Sequence, residues 1–198
     1  MQERSEITRN KILSSAAKQF AAEGYDRTAV ADICEEAGIS KGAFFHHYST
    51  KQALFLAVLN AWLMDLDKQL AVALQGSSNV AEGLVKMAEL TSGVFDSADG
   101  QLGMFLEFWT QAIHDPQVWQ ATIAPYRRYA ELFSRYLQAG IKDGSLRPMD
   151  TNMVSRVIVA LALGMLLQGV MDPKGAQWNE MTKNGIQLLL TGLQRRSV

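Results

Sequence analysis

The amino-acid sequence predicts an all-α protein of about nine helices. Apolar residues recur at helical spacing through nearly the whole chain, no convincing run alternates as a β-strand does, and the breaks between the apolar stripes contain turn-forming residues. The chain has 198 residues, of which 48% are hydrophobic and 20% are charged. That composition is typical of a soluble globular protein with a real core and one or two domains.

The helices of the N-terminal part are located by their apolar stripes and their caps. The first is predicted from about residue 5 to residue 23, because its apolar residues form one stripe and Gly24 is a natural stop. A short second helix is predicted to start near Thr28, whose hydroxyl group can cap it. The fourth is predicted to start at Ser49, where the letters STKQ fit a capping box in which Gln52 reaches back.

The stretch AVADICEEAGISKGAFFHHYSTKQAL, residues 29–54, is interrupted twice within a length too short for three ordinary helices. Gly38 follows the second helix in the position of a left-handed stop, and Ser40 can cap a third helix from Lys41 to Tyr48. Two short helices joined by such a turn form a helix-turn-helix, whose second helix enters the major groove of DNA. A corner of this kind also occurs in helical proteins that do not bind DNA.

The chemistry of the third helix favours the DNA interpretation. Lys41 can donate to a phosphate or to guanine, Gly42 and Ala43 let the backbone approach a groove wall, and His46 and His47 add donors. Protonation of the histidines would give DNA affinity a weak pH dependence. Adjacent histidines point about 100° apart on a helix, so no metal site is predicted. No cofactor is expected either.

Net charge offers no general argument for nucleic acid, because the chain carries a formal charge of −1. Any anion-binding surface must therefore be local. Lys51 lies in the first turn of the fourth helix, where free N–H groups and the helix dipole already favour an anion. The single cysteine, Cys34, agrees with a reducing compartment. The longest apolar stretch, Val157 to Val170, is shorter than a membrane span, and no signal region is found, so we expect a cytoplasmic protein without membrane contact.

The segment AAKQFAAEGYDRTAVADICEEAGISKGAFFHHYSTKQALF, residues 16–55, resembles the tetracycline-repressor (TetR) family of bacterial transcription regulators. The resemblance implies a DNA-binding domain over residues 1–52 and an effector-binding and dimerisation domain over residues 53–198. The positions that match the recognition helix are Lys41, Gly42, Ala43, Phe45, His46 and His47, and the positions that match backbone contacts are Thr28, Ser40 and Lys51. Family members usually carry tyrosine where Phe45 stands and often a polar residue where Ala43 stands, so base readout is expected to be thinner.

The C-terminal part is predicted to contain helices at about residues 79–95, 101–113, 116–142, 150–171 and 177–194. Asp115 followed by Pro116 is typical of a helix cap with proline at the first helical position. Pro125 lies inside the longest helix and predicts a kink, since the carbonyl group of Ala121 loses its partner.

A kinked helix beside one rich in Phe, Met and Trp could leave a cavity for an apolar ligand, and the family resemblance implies such an effector pocket. Each of these side chains could equally fill an ordinary core. The residues expected to line the pocket are Trp62, Met87, Phe95, Met104, Glu107, Phe108, Trp109, Tyr126 and Tyr129. Glu107 would select cationic or hydrogen-bonding ligands if it faced inward, although a solvated edge position is an alternative.

The last two helices carry more apolar surface than one core-facing stripe requires. This predicts a two-fold dimer through a four-helix interface, as the family resemblance also implies. The interface residues expected are Val157, Ala160, Leu161, Gly164, Met165, Gln168, Ile186, Leu189, Leu190 and Leu193. Such symmetry would set the two recognition helices about one DNA turn apart, or slightly more, and would require a near-palindromic operator.

The sequence therefore predicts a homodimeric transcriptional regulator, most simply a repressor, with a double-stranded DNA operator and a small-molecule effector as its partners. One alternative keeps the DNA-binding dimer but gives it a solid C-terminal core that is regulated by a protein partner or not at all. Another is a helical enzyme that uses His114, Asp115 and Glu107. The enzyme is the weaker of the two, because capping explains Asp115 and no nucleophile with a paired base is found.

Overall fold

The computed structural model describes residues 2–193 apart from positions 76, 78, 81, 88 and 90–100, and without the side chains of residues 2, 3, 74 and 101–105. The described chain is helical, without an extended strand, so the predicted all-α class is confirmed. The helices are α1 (Gln2–Glu23), α2 (Val30–Ala37), α3 (Lys41–His47), α4 (Lys51–Gln75), α5 (residues 80, 82–87 and 89), α6 (Gln101–His114), α7 (Pro116–Lys142), α8 (Thr151–Met171) and α9 (Trp178–Leu193).

The chain divides into two compact units. The first contains Met1–Asp65 with Ala98–Thr122, and the second contains Leu66–Ser97 with Ile123–Val198. Helices α4 and α7 therefore contribute residues to both units, and α6 belongs with the N-terminal helices. The boundary predicted between residues 52 and 53 separates two expected functions, whereas the two units are separated by their internal contacts. That boundary stays a prediction.

Four aromatic side chains form the centre of the first unit. The ring of Phe55 on α4 lies 5.3 Å from that of Phe20 on α1, 4.6 Å from that of Tyr25 and 4.4 Å from that of Phe108 on α6. Phe20, Phe55 and Phe108 are each at most 3% exposed. Burial of three such rings is a large apolar contribution, so this aromatic cluster joins α1, α4 and α6.

The turn between α2 and α3 is formed as predicted. Gly38 has φ 66° and ψ 41°, the left-handed conformation that glycine adopts without steric cost. Its N–H group donates to Glu35 and that of Ile39 donates to Cys34, which satisfies two carbonyl groups at the end of α2. The Ser40 hydroxyl oxygen then accepts from the N–H of Ala43 at 3.1 Å, which confirms Ser40 as the cap of α3.

Two other predicted caps are wrong by one residue. Helix α2 is capped at Ala29, whose N–H donates to the Asp32 carboxylate, while the Thr28 hydroxyl points back toward α1. Helix α4 begins at Lys51 because Thr50, and not Ser49, accepts the N–H of Ala53 at 2.9 Å. At α4 the adjacent hydroxyl residues Ser49 and Thr50 make the assignment ambiguous, whereas at α2 the Thr28 hydroxyl is bonded to Gln19 and Gly24 and does not cap the helix.

The predicted start of α7 is confirmed. One carboxylate oxygen of Asp115 accepts the N–H groups of Gln117 at 2.7 Å and Val118 at 3.1 Å, and Pro116 is the first helical residue. These bonds hold the pKa of the Asp115 carboxyl group below its usual value, and the bond from Val118 has the larger effect. Helix α7 continues through Pro125, and the kink expected there stays a prediction.

The core of the second unit is built from α4, α5, α7, α8 and α9. Leu84, Leu137, Leu146 and Leu190 are almost completely buried in it. A Cβ atom on Gly140 would lie 2.7 Å from the side chain of Leu146, so α7 needs glycine where the following turn folds back against it. This core leaves one surface of the unit apolar and uncovered.

The uncovered surface belongs to α8 and α9. Large apolar side chains at least 42% exposed are Met153, Val157, Leu167 and Met171 on α8 and Met181 and Leu188 on α9. Among the described helices, α8 alone is long and apolar enough to cross a membrane, and 28% of its most apolar window is buried within the chain. Length and composition do not distinguish a membrane span from a helix covered by another protein surface.

Candidate nucleic-acid interface

Helix α3 presents one face to solvent and one to the protein. Phe44 is fully buried and Tyr48, which follows the helix, is 6% exposed, so these two rings anchor it. Lys41, Gly42 and His46 are exposed on the outer face. A helix of seven residues is marginal in isolation, and its position here depends on the anchors and on the Ser40 cap.

The remaining predicted recognition residues flank this outer face. Phe45 is 54% exposed, while Ala43 and His47 are half-buried. The imidazole rings of His46 and His47 lie 5.2 Å apart. The structure therefore exposes four of the six predicted positions, residues 41, 42, 45 and 46, while residues 43 and 47 lie at the border of the exposed face.

Gly42 lies on the outer face of α3. Neither its backbone conformation nor the packing around it requires glycine at this position. Its φ is not among the positive glycine values in the described chain, and an added Cβ atom would meet only the Ser40 hydroxyl oxygen, at 3.8 Å. Glycine costs a helix about 1 kcal/mol relative to alanine. Nothing in the described protein offsets this cost, which favours an external partner that approaches the α3 backbone closely.

The formal charge of α3 itself is positive and comes from Lys41. The sequence of α3, KGAFFHH, has no carboxylate, and Glu36 on α2 is already engaged by Lys18 at 3.6 Å and by Gln19 at 2.9 Å. Such a surface suits a polyanion even though the whole chain is nearly neutral. Cys34 lies behind α3, and its burial raises the pKa of the thiol, so it is a packing residue.

Thr28 and Ser40 differ in what they offer a phosphate. The Thr28 side chain is 2% exposed, and its hydroxyl donates to the carbonyl groups of Gln19 at 3.2 Å and Gly24 at 2.7 Å. Only its backbone could reach DNA. Ser40 is exposed, and its oxygen is used as an acceptor while its O–H can still donate.

Lys51 is engaged inside the first unit. Its ammonium group donates to the carbonyl oxygens of Tyr25 at 2.8 Å, Thr28 at 3.0 Å and Asp26 at 3.5 Å, and lies 4.3 Å from the centre of the Tyr25 ring. A phosphate contact would require the ammonium group to leave these partners. In this arrangement Lys51 fixes the connection between α1 and α2 to the start of α4.

Glu107 on α6 holds the same connection from the other side. Its carboxylate accepts the N–H of Tyr25 at 2.8 Å and would lie 3.4 Å from a Cβ atom on Gly24. Glu107 is half-buried, and this bond gives one of its oxygens a structural partner, while the inward and edge positions expected for it stay predictions. Charge-assisted bonds of this kind contribute about 1.5 to 3 kcal/mol.

Two further hydrogen bonds extend the contact between α6, its C-terminal turn and the N-terminal helices. Gln111 donates to Asp26 at 3.4 Å, and Gln52 on α4 donates to Asp115 at 2.5 Å. Sequence analysis missed this set, because residues 26 and 111 are brought together only by the fold. The backbone of Tyr25, whose N–H donates to Glu107 and whose carbonyl oxygen accepts from Lys51, is the centre of what we call the Tyr25 clamp.

The residues predicted to line an effector pocket are distributed over both units. In the first, Phe108 is buried beside Phe55, while Trp62 and Trp109 are half-buried. In the second, Met87 is 4% exposed in the core and Tyr126 is half-buried. Phe95 and the side chain of Met104 lie outside the described residues.

Tyr129, also predicted for the pocket, donates from its phenol group to Asp67 at 2.8 Å, and Arg128 donates to the same carboxylate at 2.7 Å. Burial, together with the hydrogen bond to Asp67, raises the pKa of Tyr129 to about 12. The phenol therefore stays protonated and acts as a donor at any physiological pH.

The predicted interface residues separate into two groups. Ile186, Leu190 and Leu193 are at most 6% exposed and belong to the core of the second unit. The more accessible positions are Val157, Ala160, Leu161, Gly164, Met165, Gln168 and Leu189. Between α8 and α9 lies a surface groove of about 400 Å³, lined by Met165, Met181, Leu188 and their neighbours.

Family comparisons agree with this geometry. The family model described as "Bacterial regulatory proteins, tetR family" matches residues 12–58, and that described as "BetI-type transcriptional repressor, C-terminal" matches residues 81–191, more than half of the chain. The chain belongs to the TetR family. It is a DNA-binding transcriptional regulator of the helix-turn-helix type, and α3 lies within the residues that match the N-terminal family model.

Individual proteins are similar to this chain over most of its length. The HTH-type transcriptional regulator UidR of Escherichia coli is 26% identical over 170 residues, which cover 84% of this chain and 83% of that protein. A TetR regulator from Chloroflexus aurantiacus has a TM-score of 0.86 at 21% identity, with coverage of 98% and 100%. A transcriptional regulator from Saccharomonospora viridis, solved in complex with choline, has a TM-score of 0.84 at 21% identity, with coverage of 95% and 98%. These two solved structures show that this chain shares their fold.

A matched pair of glycine substitutions tests whether DNA approaches the α3 backbone closely at Gly42. Gly42→Ala should raise the free energy of unfolding by about 0.5 to 1 kcal/mol, because alanine favours the helix, and should weaken DNA binding. Gly38→Ala should lower it by about 1 to 2 kcal/mol, since its φ is left-handed. Chemical denaturation and DNA titration measure both. Unchanged DNA affinity in a more stable Gly42→Ala protein would contradict the close-approach role.

Lys51→Met tests whether the ammonium group acts inside the protein. Loss of charge-assisted bonds to three carbonyl groups should lower the free energy of unfolding by about 2 kcal/mol. The slope of log Kd against log salt should stay unchanged. A stable variant with a slope reduced by about one per half-site would instead assign Lys51 to a phosphate. Lys41→Met serves as the comparison, because Lys41 is exposed and should change the slope.

Proposed function

We propose that this protein is a homodimeric repressor that binds a near-palindromic operator and is released or modulated by a small ligand. The observation that supports DNA binding is the outer face of α3. Lys41, Gly42 and His46 lie there, on a helix that Phe44 and Tyr48 anchor to the protein. The bare backbone at Gly42 has no use within the described chain and has one in a major groove. The protein would act in the cytoplasm, where DNA and effector meet.

The exposed apolar surface of α8 and α9 supports the dimer. Leu188 is 77% and Met171 is 74% exposed, which is costly in water for a soluble monomer. A two-fold contact would cover the same surface on both copies. It would also hold two α3 helices about 34 Å apart, or somewhat more, as two half-sites of an operator require.

The effector is proposed to be small and mostly apolar or aromatic, with contacts among Trp62, Met87, Phe95, Met104, Phe108, Trp109, Tyr126 and Tyr129. The choline bound by the Saccharomonospora viridis regulator makes small organic cations a second class to screen. Aromatic faces attract such cations. Glu107 is not proposed as a ligand contact, because its carboxylate is bonded to Tyr25.

The Tyr25 clamp is the proposed route from effector to DNA. Helix α6 carries Glu107 and Gln111, so a shift of α6 would move the α1–α2 connection, on which α3 indirectly depends. A ligand that prefers one position of α6 would shift the DNA affinity by the same coupling free energy with which DNA shifts the ligand affinity, ordinarily about 1 to 3 kcal/mol.

Two other functions have less support. A solid core without an effector would leave the α6 contacts as purely structural. An enzyme built on His114, Asp115 and Glu107 would need Asp115 and Glu107 as free carboxylates, whereas Asp115 caps α7 and Glu107 holds Tyr25. The regulator is therefore the function proposed.

The deciding experiment is titration of the purified protein with DNA from around its own coding region, and with a random-sequence pool for in vitro selection. We expect enrichment of a near-palindromic sequence, bound by one dimer at near-physiological salt and resistant to scrambled competitor. Weak, salt-sensitive binding without sequence preference in both tests would refute the proposal.

The dimer surface is tested by Leu188→Lys. A charge at the centre of a dimer contact should shift the protein to monomers in analytical ultracentrifugation, and should lower operator affinity at least tenfold, since each half-site is then bound alone. Met64→Lys is the control, because Met64 is 60% exposed on α4. A Leu188→Lys protein that stayed dimeric would place the interface elsewhere.

The route through α6 is tested by Glu107→Ala with Glu131→Ala, an exposed carboxylate on α7, as control. In the wild type, bound operator should slow amide exchange in residues 106–114, because the Tyr25 clamp links them to the DNA-binding helices. Glu107→Ala should lose this protection while it still binds DNA. Equal protection in both variants would exclude Glu107 as the link.

A further inference from the structure

Phe45 is an exposed aromatic residue on the recognition helix. It is 54% exposed, whereas its neighbour Phe44 is completely buried. In water such a ring contributes little to stability, and the described chain does not cover it. Its position, one helical turn after Lys41, places it on the side of α3 that the proposed function turns toward DNA.

The Phe45 ring is held rather than free to rotate widely. It packs against Phe44 with ring centroids 5.1 Å apart and an interplanar angle of 80°, an edge-to-face contact. Phe44 in turn packs against Tyr48, with ring centroids 6.2 Å apart. One part of the Phe45 ring is therefore fixed to the anchor of α3 while the rest faces outward.

A phenyl ring restricts what it can recognise. It has no donor or acceptor, so it forms no conventional hydrogen bond to a phosphate oxygen or to the polar atoms of base edges. Of the groups that base pairs present in the major groove, the 5-methyl group of thymine is the apolar one. Burial of that methyl group against an already positioned ring is favourable and costs little conformational entropy.

We propose that Phe45 reads the 5-methyl group of one thymine in each half-site of the operator. This inference rests on the proposed function. Lys41, one turn earlier on the same side of α3, would reach a neighbouring phosphate or guanine, so a polar contact and an apolar contact would be adjacent. Phe45 is thereby a specificity-determining residue rather than a general DNA anchor.

The test replaces each thymine of the sequence selected from the random pool by deoxyuridine, which removes only the methyl group. For the wild type, one position per half-site should weaken binding about four-fold, and about fifteen-fold when both half-sites lack the methyl group. Phe45→Ala should bind the parent sequence about as weakly as the wild type binds the doubly substituted one. It should lose all sensitivity at that position.

Controls separate this role from a loss of folding or of DNA binding in general. Met64→Ala removes a comparably exposed apolar side chain, about 20 Å along α4 from Lys51, and should keep the full deoxyuridine effect. Phe45→Gln is a second variant in case Phe45→Ala misfolds, and thermal unfolding checks both. Their salt slopes should match the wild type, because no phosphate contact is lost.

The outcomes distinguish the two proposals. A pool that yields no preferred sequence refutes the proposed function and this inference with it. A preferred sequence that the wild type binds equally well with thymine or deoxyuridine at every position refutes the inference alone. A methyl effect that survives unchanged in both Phe45 variants assigns the readout to another residue and also overturns it.

Discussion

The first unit depends on the fixation of the backbone of one residue, Tyr25, on both of its sides. The Tyr25 N–H is bonded to the Glu107 carboxylate and its carbonyl oxygen to the Lys51 ammonium group, so charged groups from α6 and α4 hold the loop between α1 and α2. The Tyr25 ring packs on Phe55. Because the bonds are charge-assisted and partly buried, they constrain this loop more than a contact through water would.

This constraint gives the short recognition helix a rigid base. Helix α3 has seven residues and one buried side chain of its own, Phe44, and depends for position on what lies behind it. With α1, α4 and α6 joined at the aromatic cluster, the exposed face of α3 stays in one orientation. Specific readout of bases requires such preorganisation, since a loose helix would lose affinity to ordering entropy.

In the proposed regulator the same arrangement would connect effector binding to α3. Helix α6 holds the α1–α2 connection, so a ligand that moved α6 would also move that connection. Interfaces of packed rings and short charged bonds favour discrete positions over gradual deformation. In the proposed dimer, the exposed surface of α8 and α9 would have a separate role, because contact there would set the distance between the two α3 helices.

Local features were predictable from the sequence and distant ones were not. The Gly38 stop, the Ser40 cap and the Asp115–Pro116 start depend on residues within three positions of each other, and all three are confirmed. Ser49 failed as a cap because its neighbour Thr50 carries a hydroxyl too, and Thr28 failed because its hydroxyl is bonded to Gln19 and Gly24. The bond from Tyr25 to Glu107 was not predicted, because its partners lie 82 residues apart and nothing in helical periodicity identifies a backbone N–H as the target of a carboxylate.

The central claim is that the Tyr25 clamp holds the first unit together, and native-state hydrogen exchange at the Tyr25 amide tests it most directly. If Glu107 holds this N–H group as the structure shows, the amide should exchange only through the opening that exposes the core of α1, with the protection of the Phe20 amide. Exchange of the Tyr25 amide at the rate of an unprotected loop, while Phe20 stays protected, would contradict the account.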